Sequence, residues 1–126
     1  MGSEMPNVLI VDANDEDSKN LKNIIQDEGY HIFTAATARE AVRLIRTEAV
    51  DLVIINTWLD DIEGYKVIPI LKDINPRLKF IVTTDEHSDE IEETVRREEI
   101  VYYAIKPDDY DVIKDAVITA APVEKG

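Results

Sequence analysis

Residues 51–64 read DLVIINTWLDDIEG. A β-branched apolar run from Leu52 to Ile55 stops at Asn56, and a polar, acidic loop carries the chain through Asp60, Asp61 and Glu63 to Gly64. So short an apolar run, with no polar residue alternating in it, reads as a strand buried on both faces. NVLIVD (7–12) and KFIVTT (79–84) are built the same way, and GYHIFTA (29–35) and IVYYAI (100–105) are weaker versions. Apolar residues at helical spacing fill the intervals: Leu21, Ile24 and Ile25; Ala38, Ala41, Val42 and Ile45; Val67, Ile70, Leu71 and Ile74; Ile91 and Val95; Val112, Ile113, Ala116 and Val117. Five strands alternating with five helices require right-handed crossovers, hence a parallel sheet covered on both faces. In such a doubly wound fold the site lies at the carboxyl ends of the strands. Those ends bring forward Asp12 and Ala13, Asn56 and Thr57, Thr84 and Asp85, and Lys106 and Pro107.

With 126 residues the chain fits one domain, placed at residues 7–121, with 122–126 as a C-terminal tail. Met1-Gly2-Ser3 reads as a cloning leader. A net charge of −13 and the lack of any Lys/Arg run exclude direct binding to a phosphate backbone. No apolar stretch approaches the roughly 18 residues of a membrane span, so no membrane partner and a cytoplasmic location are expected. No cysteine is present, and His31 and His87 are the only histidines, which leaves transition-metal chemistry without ligands. Asn14 or Asp15, Thr37, Ser88, and Asp108 or Asp109 are candidate helix N-caps, and Gly29 is a candidate helix end.

The order of VLIVDAND, EGYHIFTAATAREAVRLI, DLVIINTWLDDIEGYKV, FIVTTDE and YYAIKP resembles the receiver domains of bacterial two-component response regulators over about residues 7–121. The resemblance implies a flavodoxin-like (βα)5 fold with strand order 2-1-3-4-5. It also implies a site in which an acidic pair after the first strand and an aspartate after the third bind Mg²⁺, and that aspartate takes a phosphoryl group. Asp12 matches the first acidic residue, Thr84 the switch hydroxyl, Tyr103 the aromatic that moves with it, and Lys106-Pro107 a Lys-Pro pair joined by a cis bond. Ala13 stands where the second acidic residue belongs, and Asn56 where the phosphoacceptor belongs. Asp85 stands where a small residue is usual, Asp60 where proline is frequent, and Glu99 where a glycine usually ends a helix.

These departures remove chemistry. Phosphoryl transfer to a side chain needs an anionic oxygen in line with phosphorus and a cation on the equatorial oxygens. An asparagine has no such oxygen. Mg²⁺ gives up water reluctantly and relies on carboxylates, of which Asp12 alone remains beside an amide and the Trp58 carbonyl. At an effective dielectric of about 20, each lost charge at 4 Å is worth roughly 4 kcal/mol before desolvation. No cofactor is therefore expected, with Mg²⁺ affinity lost or very weak and Lys106 turning to Asp12 or Asp85. Asp85 either points to solvent or turns inward, drawing Lys106 and the Thr84 hydroxyl into imitation of a phosphorylated state.

The expected function is that of a pseudo-receiver, a signalling domain that binds partners independently of phosphorylation and is not an enzyme. The alternative is a phosphorylation-competent switch, with Asn56 an engineered replacement of the acceptor or with Asp60 or Asp61 in its place. A small-molecule binder using the same pocket is a third reading. The resemblance points to the face of the fourth helix, fifth strand and fifth helix as the protein-binding surface, for a sensor kinase or an output domain, and leaves a homodimer open. The fourth helix, SDEIEETVRREE (88–99), is charged almost throughout, with few apolar anchors.

Overall fold

The computed structural model describes residues 5–123; Met1-Gly2-Ser3 and the last three residues of the tail lie outside them. Its strands are β1 (Asn7–Val11), β2 (His31–Ala35), β3 (Leu52–Asn56), β4 (Lys79–Thr84) and β5 (Tyr102–Ile105). Its α-helices are α1 (Asp15–Ile25), α2 (Ala38–Thr47), α3 (Gly64–Ile74), α4 (Asp89–Arg96) and α5 (Tyr110–Ala120). The strands form one parallel sheet in the order β2-β1-β3-β4-β5, as the alternation requires. Central β3 is buried along its whole length, whereas edge strand β2 keeps His31 and Thr34 exposed. That edge position is why the second run reads weakly.

One apolar layer packs α2, α3 and α4 against Leu9, Val53, Ile55 and Phe80, and the other packs α1 and α5 against Val8, Ile10, Ile54 and Ile81. Each such fully buried aliphatic or aromatic side chain contributes about 1.5–3 kcal/mol of transfer free energy. Asn14, Thr37 and Ser88 cap α1, α2 and α4 by accepting the backbone N–H of Asp17, Glu40 and Ile91. Asp109 occupies the N-cap of α5 without capping it; its carboxylate accepts the Ile105 N–H at 2.8 Å. Gly29 does not end α1 directly. A single 3-10 turn, Gln26–Glu28, intervenes, and Gly29 follows with φ +93°.

The fourth helix is shorter than its charge pattern suggests. Only Val95 of α4 is fully buried, and Ile91 is half-buried. Glu99 takes φ +56°, a left-handed conformation that costs a non-glycine residue about 1–2 kcal/mol. Lys72 of α3 donates to the Glu98 carbonyl beside it, which satisfies a backbone group at that strained turn. Ile70, expected to face the core, is 46% exposed because it lines the space between α3 and α2.

Candidate functional site at the carboxyl end of the sheet

The strand register sets the site. Val11 pairs with Ala35 and Ile55, Asn56 with Thr83, and Thr84 with Ile105. The ladder runs on past the strands through Asp12 N–H to Ala35, Thr57 N–H to Thr83 and Lys106 N–H to Thr84. Asp12, Asn56, Thr84 and Lys106 therefore gather at one end of the sheet, all of them buried. The loop carrying Asn56 returns tightly: the Gly64 N–H donates to the Thr57 carbonyl, and a Cβ on Gly64 would fall 1.8 Å from the Asn56 carbonyl oxygen. Only glycine fits where α3 begins.

Lys106 is the electrostatic centre. Its ammonium lies 2.7 Å from Asp12 Oδ2, 2.8 Å from Asp17 Oδ2 and 3.5 Å from Asp85 Oδ1. Burial acts to lower its pKa, yet the hydrogen bonds and charges of Asp12, Asp17 and Asp85 outweigh that and hold it above the ordinary lysine value. Burial pushes the Asp12 carboxyl up, against the Lys106 ammonium and the Asn14 N–H that favour its charged form. The Lys106-Pro107 bond is cis. Asp17 was not among the residues singled out from sequence. It sits three residues after the Asn14 cap, a spacing at which an acid ordinarily serves the helix start, and only the fold brings it to Lys106.

The Asn56 corner holds no charge. The Asn56 amide nitrogen donates to the Trp58 carbonyl at 2.9 Å, and its oxygen accepts from the Thr83 hydroxyl at 3.2 Å. Because a carbonyl only accepts, the atom facing Trp58 is the nitrogen. The Thr57 hydroxyl donates to Thr84, and the Thr84 hydroxyl donates to the Glu86 carbonyl. Asp85, whose side chain is 58% exposed, thus reaches toward Lys106 and leaves Thr84 to other partners. Tyr103 is buried edge-on to His87, its hydroxyl enclosed without a hydrogen-bond partner among the described residues, and this burial raises its pKa.

As arranged, these donors do not fit a divalent cation. Both Asp12 oxygens are engaged, by Asn14 and Lys106; the Trp58 carbonyl is taken by Asn56; Ala13 offers no ligand. Among the described residues no group of three or more His, Cys, Asp or Glu side chains is placed to hold a metal. Of the nearby acids, Asp60 is exposed, whereas Asp61 accepts the backbone N–H groups of Ala38 and Arg39 at the start of α2. Although slight burial alone would raise the Asp61 pKa, those N–H groups lower it below the usual carboxylate value.

The family model for the response regulator receiver domain matches residues 8–118. The chain belongs to that family. It is 29% identical over 118 residues to sporulation initiation phosphotransferase F of Bacillus subtilis strain 168, covering 93% of this chain and 94% of that protein. It is 27% identical over 126 residues to the transcriptional regulatory protein GlrR of Escherichia coli strain K12, covering 97% of this chain and only 28% of that protein. The crystal structure of a CheY-like response regulator receiver domain protein from Methanospirillum hungatei JF-1 superposes with a TM-score of 0.81 at 28% identity, over 92% of this chain and 96% of that one. The fold is thus the CheY-like receiver fold and the chain a signalling module of two-component systems. Among the described residues no helix is long and apolar enough to cross a membrane.

Proposed function

We propose that this receiver domain works as a pseudo-receiver, signalling through protein contacts without Mg²⁺-dependent phosphorylation. The observation that carries the reading is the Asn56 amide clasped between Trp58 and Thr83, a hydrogen-bonded unit where a phosphoacceptor would need a free anionic oxygen. Lys106, saturated by Asp12 and Asp17, adds to it, because its charge is already neutralised from within the chain. The partner, a sensor kinase or an output domain, docks on the face made by α4, β5 and α5. Exposed Val101, just before β5, and Val112 of α5 supply apolar anchors there.

Incubation with Mg²⁺ and acetyl phosphate or phosphoramidate, followed by intact mass measurement, tests the proposal. The native chain should gain no phosphoryl mass, while an Ala13→Asp, Asn56→Asp double variant should gain it. Uptake by the native chain would overturn the reading and turn attention to Asp60 or Asp61.

A further inference from the structure

The chain carries six arginines, and three of them, Arg39, Arg43 and Arg46, lie along α2 at positions i, i+4 and i+7. This spacing puts them on one stripe about 10.5 Å long. All three are exposed, and none has a carboxylate within ion-pair distance among the described residues. Arg96 and Arg97 of α4 behave differently, each pairing with a glutamate one turn earlier. Beside the α2 stripe runs a groove of about 540 Å³ between α2 and α3, floored by Val42, Ile62 and Ile70. Its one acid, Asp61, spends its carboxylate on the α2 backbone. In a chain of net charge −13, this is a cationic and apolar strip with its charges unspent.

We propose that the α2–α3 groove docks an acidic amphipathic helix of a partner protein, its carboxylates on the arginines and its apolar residues on Ile62 and Ile70. Charge complementarity selects the occupant. Arginine forks match carboxylates in bidentate geometry, and a helix offers acids at the same one-turn spacing as the stripe. Helix-in-groove docking of this kind reads out anchors at i, i+3, i+4 and i+7. The overall negative charge disfavours nucleic acid as the occupant, since a phosphate backbone would be repelled everywhere beyond the groove. The surface differs from the α4–β5–α5 face, and its use does not depend on the state of Asn56.

The probe is a fluorescein-labelled synthetic helix with glutamates at i, i+4 and i+7 and leucines on the adjoining stripe, titrated with the full chain and followed by anisotropy. Saturable binding below about 1 mM is expected, weakening as salt rises. An Arg39→Gln, Arg43→Gln double variant should weaken it about tenfold, as should Ile70→Ser; both changes are exposed, and circular dichroism checks that each variant folds. The inference is overturned by no saturable binding, by affinities unchanged in both variants, or by equal binding of a lysine-for-glutamate peptide. It is likewise overturned if a DNA duplex binds more tightly through the same arginines, or if sedimentation shows a self-association that the arginine variant abolishes, making a second copy the occupant.

Discussion

The Lys106 corner and the Asn56 corner of the pocket end strands two apart in the same sheet, yet they are held together in opposite ways. At Lys106 a buried cation is surrounded by carboxylates from α1 and the loops after β1 and β4. At Asn56 the contacts are neutral: an amide, a backbone carbonyl and hydroxyl groups. The first arrangement punishes removal of a buried partner, because burial leaves the remaining charges without water. The second is neutral and tolerates its low-dielectric surroundings as long as each donor meets an acceptor. The pocket thus holds a cation of its own on one side and only neutral groups on the other.

Breaking the Lys106 corner should have the largest effect. Lys106→Met leaves Asp12 and Asp17 without their cation and should cost about 3–5 kcal/mol in urea unfolding at neutral pH. A loss below about 1 kcal/mol would mean that water or another cation already neutralises those acids. Asn56→Asp is the matching test at the other corner. The new carboxylate would face the Trp58 carbonyl, acceptor against acceptor, at a cost of about 1–3 kcal/mol. Part of this should return below about pH 4, where a protonated carboxyl can donate. If the variant is instead more stable than the native chain, Lys106 has re-aimed at the new charge and the two corners are one system.

Alkaline pH separates them without mutation of the amide. Because the folded pKa of Lys106 is raised, its stabilising contribution is complete below the unfolded lysine value of about 10.4 and is lost as pH climbs through the higher folded value. Raised tyrosine pKa values at Tyr30, Tyr103 and Tyr110 also weaken the fold at high pH. The stability difference between native and Lys106→Met proteins largely cancels that shared part, so this difference should shrink above about pH 10.4. A difference that stays constant to higher pH would deny the lysine its buried, charge-paired role. Asp85→Ala should have the smallest effect, under about 1 kcal/mol, as befits an exposed partner at 3.5 Å. A larger loss, with a shifted ammonium resonance for Lys106, would place Asp85 inside the cluster.

The fold was legible because β3 and β4 are uninterrupted apolar runs whose ends need no tertiary information to locate. The reading placed Asp12, Asn56, Thr84 and Lys106 at strand ends, and parallel topology alone gathers them. Asp17 escaped notice since its partner is 89 residues away, and its position in a first helical turn already has a local explanation. Asp61 was visible only as a loop acid that could stand in for the acceptor, because its service to α2 depends on a contact with residues more than twenty positions earlier. Glu99 shows the opposite case. The family resemblance marks position 99 as one where glycine is usual, and Glu99 takes the left-handed conformation there.

The clasp between Asn56 and Trp58 also bears on heredity. A lineage drifting toward an acidic pocket would change one codon at a time, and either first step would be uphill: a carboxylate at 56 loses a donor, and one at 13 adds an anion beside Asp12. Only the pair, with a cation to join it, recovers what each alone forfeits. Such a ridge between two workable genotypes acts as a ratchet. With the amide closed on the carbonyl, selection for stability alone would keep it closed.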